Sequence, residues 1–373
     1  MQGCRVAASE RAGGQYNDSG DRLGPPRRQS SLAEGRLCVS RSVETKSPFR
    51  HLADNRTIAP MARKVIIDCD PGIDDAIALT MALFDPRLEV LAVTATAGTV
   101  DADQATTNVQ GLIQQLDPPK YPRIGVASPC EGAAVSNDIV LHGSDGLAGC
   151  NYEPSDRQHR HLSEKIISEL LRQHPNQVSL ICLGPLTNVA RAFQREPGLE
   201  SLVDRLVVSG GAVACPGNIS PVAEMNMYFD PTAARSVIES ATTKSLVPLD
   251  VTDQVEFSIE LIENLPSKQT RAGQLLHKLL LFAFRSYVQN LGRETISLYD
   301  PVALLGFLEP ELFTWEDMAI DIETRGELTR GQTVCDARRH REWSLNAEVA
   351  RSIDTTAAVN QIVRGLRFAG QCT

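Results

Sequence analysis

Short apolar runs alternate with helical patterns along most of the chain after residue 61. Buried strands are predicted by β-branched apolar runs of strand length: "KVIIDCD", "LEVLAVTAT", "QVSLICLG", "RLVVSGG" and "KSLVPLD". Helices are predicted by the spacing in "DDAIALTMALF", "DADQATTNVQGLIQQL", "DPTAARSVIES" and "TTAAVNQIVRGLRF". Asp230 followed by Pro231 is a typical helix start. Strands that alternate with helices predict a mostly parallel sheet covered by helices on both faces.

The pattern therefore predicts an α/β fold, with one open, doubly wound domain and a mostly parallel, mixed sheet over residues 62–373. The late stretches "MAIDIETRGELTRGQTVCDARR" and "WSLNAEVA" are expected to be extended segments at an edge of the sheet. Residues 1–61 are rich in Arg, Ser and Gly and have no sustained period. We expect them to be a disordered extension, unless translation begins at Met61. Acidic residues in this segment argue against a transit peptide.

Composition excludes several classes of protein. The 373-residue chain has a formal net charge of −9, which argues against nucleic-acid or anionic-membrane partners. No apolar run approaches the roughly 20 residues that cross a bilayer. The nine cysteines are scattered singly without a C-x-x-C pair. Reduced thiols in a cytoplasmic protein are the simplest interpretation.

Four aspartates surround the first predicted turn. Asp68 and Asp70 close the first strand, and Asp74 and Asp75 begin the following helix. A helix start favours acidic residues, but this does not explain Asp70. Several carboxylates that converge at a strand end need a cation, and oxygen ligands favour Ca²⁺ or Mg²⁺. The rival interpretation is an aspartate-nucleophile phosphatase of the haloacid-dehalogenase type, although these usually have Thr or Val where Gly72 stands.

The aspartate motif also carries a family resemblance. "DCDPGIDD" has the form D-x-D-P-G-x-D-D, and it is followed by "HGSDGL", "GPLTN", "GGAVACPGNISPVAEMNMYFDPTAA" and "YDPVALL". On these motifs the chain resembles the calcium-dependent nucleoside hydrolases of the inosine–uridine preferring type, from Lys64 almost to its end. The resemblance implies the nucleoside hydrolase fold. It also implies hydrolysis of the N-glycosidic bond of ribonucleosides to a free base and ribose.

Residue roles follow from matching each motif position to the family. The implied Ca²⁺ ligands are Asp70, Asp75, Asp300 and the backbone carbonyl of Leu183. The metal would hold a water and the ribose diol, with Asp70 as the general base. The implied ribose contacts are Asp74, Asn218, Glu224 and Asn226. Carboxylates beside the sugar would stabilise an oxocarbenium-like transition state. Without the resemblance, Asn218 is equally typical of a turn and Asp300 of a helix start.

The chain departs from the family at two positions near the sugar and base. Tyr299 stands where relatives often have a histidine that protonates the leaving base, and Thr99 stands where they tend to have Asn. A tyrosine is the weaker proton donor near neutral pH. His142, in "HGSDGL", is either a second candidate in the base pocket or a structural loop residue. The base preference is therefore open, and the region from Val255 to Glu294 is a candidate for closing the base pocket.

Two further expectations concern activity and assembly. Because Tyr299 replaces the usual acid, a catalytically reduced nucleoside- or ribose-binding protein is the alternative to an active hydrolase. Family members are commonly homodimers or homotetramers, so the resemblance implies a homo-oligomer with a small-molecule nucleoside as its ligand.

Overall fold

A nine-stranded sheet is the centre of the protein, whose computed structural model describes residues 62–130, 139–153 and 161–373. All of these residues belong to one folded unit. Residues 1–61, the predicted extension, lie outside the described residues, so the expectation for that segment stays a prediction. The seven cysteines among the described residues are all free thiols.

The strands carry the alternating architecture that the pattern predicts. The described strands are β1 (Arg63–Cys69), β2 (Leu88–Ala95), β3 (Arg123–Val126), β4 (His161–Leu162), β5 (Val178–Cys182), β6 (Val203–Ser209), β7 (Lys244–Val247), β8 (Glu256–Phe257), β9 (Ile296–Ser297), β10 (Phe313–Met318), β11 (Ile320–Ile322), β12 (Thr333–Cys335) and β13 (Ala347–Ile353). The large sheet has the order β10-β13-β7-β6-β5-β1-β2-β3-β4. Every pair of neighbouring strands in this sheet is parallel except the pair β10 and β13, which is antiparallel. The expected mixed, mostly parallel sheet is confirmed.

Helices connect these strands on both sides of the sheet. They are α1 (Ile73–Ala82), α2 (Ala102–Leu116), α3 (Ile139–His142), α4 (Ser163–Gln173), α5 (Thr187–Arg195), α6 (Met225–Phe229), α7 (Pro231–Glu239), α8 (Leu249–Thr252), α9 (Arg271–Leu291), α10 (Tyr299–Leu308) and α11 (Thr355–Cys372). Short 3₁₀ helices cover Leu199–Leu202, Ile259–Asn264 and Pro310–Leu312. Helix α7 starts as predicted, since the Asp230 carboxylate accepts the N–H of Ala233 at 3.0 Å.

Strand β1 is buried on both faces. Val65 and Ile67 belong to one apolar core, which includes residues of α1, α2, α9, α10 and α11. Ile66 belongs to the core on the opposite face, with residues of α4, α5 and α7. Because neighbouring side chains of a strand point in opposite directions, a continuous apolar run such as "VII" requires helices on both faces.

The late extended segments complete the sheet at one end. "WSLNAEVA" supplies most of β13, which lies second from the edge, and β10 forms the edge itself. Strands β11 and β12 pair antiparallel beside it, as do β8 and β9 elsewhere in the chain. The expectation of extended segments near an edge therefore agrees with the structure, although β13 is covered on both sides by neighbouring strands.

The strand order reverses between β1 and β5. Strands β2, β3 and β4 follow on one side of β1, whereas β5, β6 and β7 lie on the other side. The Leu183 N–H, just beyond β5, donates to the Asp68 carbonyl of β1 at 2.8 Å. In open α/β sheets, ligands bind beyond the carboxyl ends of the strands at such a reversal. Asp70 and Leu183 thus lie at the position where a site is expected.

Candidate active site

Asp70 is held in a tight backbone cradle at the end of β1. Its Oδ2 accepts the Thr99 backbone N–H at 2.6 Å and the Thr99 hydroxyl at 3.0 Å. A Cβ atom on Gly98 would lie 2.1 Å from Oδ2, and one on Gly184 would lie 2.3 Å from Oδ1. Only glycine fits at both positions, because the backbone approaches the carboxylate from two strand ends. The orientation of Asp70 is therefore strongly constrained.

Asp74, Asp75 and Asp300 form a compact acidic group beside Asp70. One carboxylate oxygen of each lies within 4.8 Å of the others, so the three could hold a metal ion. The Asp75 Oδ2 accepts the Gly72 N–H at 2.9 Å, while its buried Oδ1 has no hydrogen-bond partner in the described part of the chain. The Asp300 Oδ1 accepts the Ser209 hydroxyl at 3.1 Å. These contacts orient the carboxylates without neutralising them.

Burial and mutual repulsion perturb the acidic group. Burial is the main cause that raises the pKa values of Asp70, Asp75 and Asp300, and the charges of neighbouring aspartates raise them further. The pKa of Asp75 rises to about 8. A bound cation would reverse this effect, since it favours the ionised carboxylates.

Asn226 joins the ends of β5 and β6. Its Nδ2 donates to the Leu183 carbonyl at 2.7 Å and to the Ser209 carbonyl at 3.0 Å. Its Oδ1 is buried and has no hydrogen-bond partner among the described residues, and the residue lines the cavity. Asn226 thus fixes the backbone oxygen that the resemblance assigned to the metal, while its own oxygen remains available for a ligand.

Glu224 is fixed by backbone donors at the start of α6. Its carboxylate accepts the N–H groups of Asn226 at 2.9 Å, Gly211 at 3.0 Å and Met227 at 3.2 Å. These three hydrogen bonds fix the orientation of the carboxylate towards the cavity that it lines. Asn218 lies on the exposed loop that precedes α6, and its Oδ1 accepts the Met225 N–H at 3.0 Å.

His142 lies against the start of α1. Its Nδ1 accepts the Ile73 backbone N–H at 2.9 Å and lies 3.9 Å from the Asp74 Oδ1. Because Nδ1 accepts a hydrogen bond, the neutral ring carries its proton on Nε2. Helix α3, which ends at His142, is fastened to α9 where the Ser286 hydroxyl donates to the Val140 carbonyl.

The other end of the cavity is built from residues of α8, α9 and the segment before α10. Tyr299 and Asp253 both line this end of the cavity. Burial is the main cause that raises the pKa of the Tyr299 phenol above its ordinary value. One cavity of about 300 Å³ connects this end with the acidic group, and Tyr287 and Arg293 also line it. This volume is in the range of small-molecule sites.

The family model of the inosine-uridine preferring nucleoside hydrolases matches residues 65–360 of the chain. The protein belongs to this family. The expected enzyme class, a nucleoside hydrolase, is thereby confirmed, and the family assignment replaces the phosphatase alternative.

Relatives and solved structures of nucleoside hydrolases match nearly the same region. A probable uridine nucleosidase 1 of Oryza sativa subsp. japonica is 35% identical over 275 residues, which are 73% of this chain and 85% of the relative. The pyrimidine-specific ribonucleoside hydrolase RihA of Salmonella paratyphi B is 34% identical over 311 residues, 83% of this chain and 99% of the relative. A plant nucleoside hydrolase structure superposes with a TM-score of 0.74 at 27% identity, over 82% of this chain and 99% of that chain.

In this nucleoside hydrolase, every residue that the resemblance assigned to catalysis, to the metal or to the ribose lines one cavity. The lining includes Asp70, Asp74, Asp75, Thr99, His142, Leu183, Asn218, Glu224, Asn226, Tyr299 and Asp300. Thr99 was expected to lie near the sugar and base. In the structure its backbone N–H and its hydroxyl both donate to the Asp70 carboxylate. Asp300 lies in the first turn of α10 and is not its N-cap, a position that Leu298 occupies.

Three features of this nucleoside hydrolase site were not predicted. Asp68 is buried away from the cavity, and its Oδ1 accepts Thr94 Oγ1 at 2.6 Å and Asn188 Nδ2 at 2.9 Å. It therefore ties β1 to β2 and to "GPLTN". Ser209 and Asp253 were also missed. The sequence could have indicated Ser209 as a site residue, because it stands at the end of a predicted strand. No sequence pattern indicated Asp253.

The oxygen-rich end of the site fits a hard cation. The buried Oδ1 atoms of Asp75 and Asn226 lack hydrogen-bond partners within the described ranges, and every nearby ligand atom is an oxygen.

Among the described helices, none has the length and apolar character that a membrane crossing requires.

Proposed function

We propose that the protein hydrolyses the N-glycosidic bond of ribonucleosides and that pyrimidine ribonucleosides such as uridine are among its substrates. The observation that carries this proposal is the single cavity, which joins a carboxylate-rich sugar end to a base end. The names of the rice and Salmonella relatives support pyrimidine ribonucleosides as substrates.

The cation of this site is proposed to be Ca²⁺, held by Asp70, Asp75, Asp300 and the Leu183 carbonyl. The donor set supports it, because Ca²⁺ prefers carboxylate and carbonyl oxygens in flexible numbers. When bound, Ca²⁺ would offset the repulsion between the carboxylates and favour deprotonation of the attacking water. The cation would also keep Asp70, Asp75 and Asp300 ionised near neutral pH, against the effect of their burial.

Asp70 is proposed to take the proton of the attacking water. Thr99 holds one carboxylate oxygen, Oδ2, with two hydrogen bonds. The second oxygen, Oδ1, lies at the crevice beside Gly184 and can accept the proton. Because both glycines prevent rotation of the carboxylate, the base is pre-oriented, which lowers the entropic cost of the reaction.

The ribose is proposed to bind to Asp74, Asn218, Glu224 and Asn226. Sugar hydroxyls both donate and accept hydrogen bonds, so they suit a mixture of amides and carboxylates. As the glycosidic bond breaks, positive charge develops on the sugar. The nearby carboxylates stabilise this charge more strongly than the neutral ground state, and this difference accelerates the reaction.

His142 is favoured over Tyr299 as the proton donor to the departing base. Burial raises the pKa of the Tyr299 phenol, which makes release of its proton costly. His142 has its Nδ1 occupied by the Ile73 N–H, so its Nε2–H is the group that remains to face the cavity. General acid assistance typically contributes about 10²- to 10⁴-fold.

A single assay separates an active hydrolase from a protein that only binds nucleosides. Release of ribose from uridine or inosine, measured as reducing sugar, is expected to be abolished by a chelator and restored by Ca²⁺. Tight ribose binding without turnover of any nucleoside would instead support the binding protein.

Asp70→Asn is expected to lower turnover by about 10²-fold or more, because the amide cannot accept the proton of water. Asp230→Asn is the matched control. Its carboxylate caps α7 outside the cavity, and asparagine caps helices equally well. Near-normal turnover of Asp70→Asn would refute the assignment of the base.

Assembly into a homodimer or homotetramer and a cytoplasmic location stay proposals that rest on the family resemblance. Light scattering at micromolar concentration tests the first, and a monomeric mass would contradict it.

A further inference from the structure

The loop of residues 210–218 joins the end of β6 to the segment that carries the proposed ribose contacts. It begins with Gly210 and Gly211, whose φ angles of +149° and +89° are rare for residues with side chains. Gly210 lines the cavity at the start of the loop, and Asn218 lines it at the end. The conformation of this loop therefore shapes one wall of the sugar end.

The first turn of the loop is bonded directly to Glu224. The Gly211 N–H donates to the Glu224 Oε2 at 3.0 Å, and a Cβ atom on Gly210 would lie 2.8 Å from the same oxygen. The Gly211 carbonyl in turn accepts the Leu249 N–H at 2.9 Å. Because the backbone of this turn touches the carboxylate so closely, a shift of the loop would move a hydrogen-bond donor of Glu224 and change its orientation.

Asp250, in the first turn of α8, holds the next part of the loop. Its Oδ2 accepts the Val213 N–H and its Oδ1 accepts the Ala214 N–H, each at 2.8 Å. The Cys215 thiol also donates to Oδ2 at 3.3 Å. The Asp250 side chain is 9% exposed, and it is not among the described residues that line the cavity. Asp250 therefore affects the site through the loop rather than by contact with a substrate.

An ion pair is a further contact of the Asp250 side chain. The Arg351 Nη1 lies 3.6 Å from the Asp250 Oδ1, and the Arg351 Nε lies 3.4 Å from the Glu316 Oε2. The Arg351 side chain is 31% exposed, so solvent screens this pair. The two backbone N–H groups at 2.8 Å make the stronger contacts with the carboxylate. Holding the loop is thus the main structural task of Asp250.

We propose, on the basis of the function given above, that Asp250 is a positioning residue that holds the loop of residues 210–218 in the conformation in which Glu224 and Asn218 meet the ribose. Leu249 and Asp250 are consecutive, and together they bind the loop at Gly211 and at residues 213–214. The start of α8 thus fixes the loop relative to the sugar end. Loss of the Asp250 carboxylate weakens ribose binding and leaves the choice of base unchanged.

The first test is Asp250→Ala, which removes both acceptor oxygens. The inhibition constant of free ribose and the KM values of uridine and nitrophenyl riboside are expected to rise about 10-fold, the usual effect of losing one hydrogen bond to a charged group. A purely structural role would lower only the amount of active protein, so kcat per milligram would fall while these constants stayed the same. Unchanged constants would overturn the proposal.

Asp250→Asn is the conservative variant. It keeps one oxygen that can accept one of the two N–H groups, so the same constants should rise less than in Asp250→Ala, by about 3-fold. This variant decides the proposal if Asp250→Ala does not fold, and unchanged constants in Asp250→Asn would then overturn it.

Arg351→Gln is the matched control, because it removes the ion pair and leaves both backbone hydrogen bonds of Asp250 in place. The inhibition constant of ribose and the KM values should stay within about 2-fold of those of the unmodified protein. An increase equal to that of Asp250→Ala would show that the ion pair is what matters, and the positioning role would be wrong.

Two substrates with the same sugar separate the sugar end from the base end. The ratio of the kcat/KM values of uridine and nitrophenyl riboside should be the same in Asp250→Ala as in the unmodified protein, since both substrates carry ribose. A changed ratio would place the effect at the base end and overturn the proposal. Absence of ribose release from every nucleoside by the unmodified protein would refute the proposed function itself. Normal release of ribose, with an unchanged inhibition constant of ribose in Asp250→Ala, would refute only the role of Asp250.

Discussion

Replacing Asn226 by alanine should weaken both the fold and the site. The Asn226 Nδ2 donates to the carbonyls of Leu183 and Ser209, and the residue is 5% exposed. In Asn226→Ala both buried carbonyls lose this donor. A lost hydrogen bond between neutral groups costs about 1 kcal/mol, and a buried carbonyl left without a partner about 1 to 3 kcal/mol. We expect the free energy of unfolding to fall by about 2 to 4 kcal/mol. This is less than the sum of these separate costs, because structural relaxation and water entry offset part of them.

Urea denaturation, followed by circular dichroism with Ca²⁺ and with a chelator, measures this effect. The Leu183 carbonyl is also a proposed Ca²⁺ ligand, so stabilisation by Ca²⁺ should be smaller in Asn226→Ala than in the unmodified protein. The value of kcat/KM for nitrophenyl riboside should fall as well, because the free Oδ1 that can face the ribose is lost with the side chain.

Asn218→Ala is the matched control for Asn226→Ala. The Asn218 side chain is exposed, and its Oδ1 accepts only the Met225 N–H among the described contacts. Its loss should cost at most about 1 kcal/mol of stability while still lowering kcat/KM. If the two variants lose equal stability, or if Asn226→Ala unfolds like the unmodified protein, the structural role of Asn226 is refuted.

Three further outcomes are expected. Gly98→Ala should nearly abolish activity, because a Cβ atom would lie 2.1 Å from the Asp70 Oδ2, and steady-state kinetics with any ribonucleoside checks it. In the chelated protein the pKa of Asp75 is about 8, above its unfolded value of about 3.9, so the fold favours the protonated form. The stability that protonated Asp75 contributes should therefore be lost as pH rises from about 4 to about 8. Denaturation with and without Ca²⁺ should show this loss of stability only in the presence of chelator. Tyr299→His should raise turnover of natural nucleosides and leave nitrophenyl riboside nearly unchanged, because an imidazole beside Asp253 is a better proton donor; equal effects on both substrates would show that position 299 does not handle the leaving group.

The sugar end of the site could be predicted from the sequence because its residues belong to continuous motifs at strand ends. Asp70, Asp74 and Asp75 lie in eight consecutive positions with Asp68, and Asn226 follows Glu224 by two. The strand pattern predicts that these motifs meet at one edge of the sheet. The structure adds their contacts, such as the Thr99 donors to Asp70, which no pattern of hydrophobicity encodes.

The base end could not be predicted in the same way. Its residues come from α8, α9 and the segment before α10, and they are distant from one another in sequence. Asp253 lies just outside the region from Val255 to Glu294, which was the candidate for this role. Only Tyr287 and the residues near it fall inside that region. A single polar residue after a short helix carries no sequence signal, since its partner is decided by tertiary packing.

The two ends of the site are attached to different parts of the fold. The sugar end is attached to the ends of β1, β5 and β6, which are central and parallel, so a change there disturbs the sheet. The base end is attached to the later excursion from α8 to α10, which contacts the sugar end through Tyr299 and its neighbour Asp300. Asp253 lies at this base end and takes no part in the cradle of Asp70, whose hydrogen bonds come from Thr99. The choice of nucleobase can therefore change without loss of the machinery that activates the sugar, and position 299 is where the two parts of the site meet.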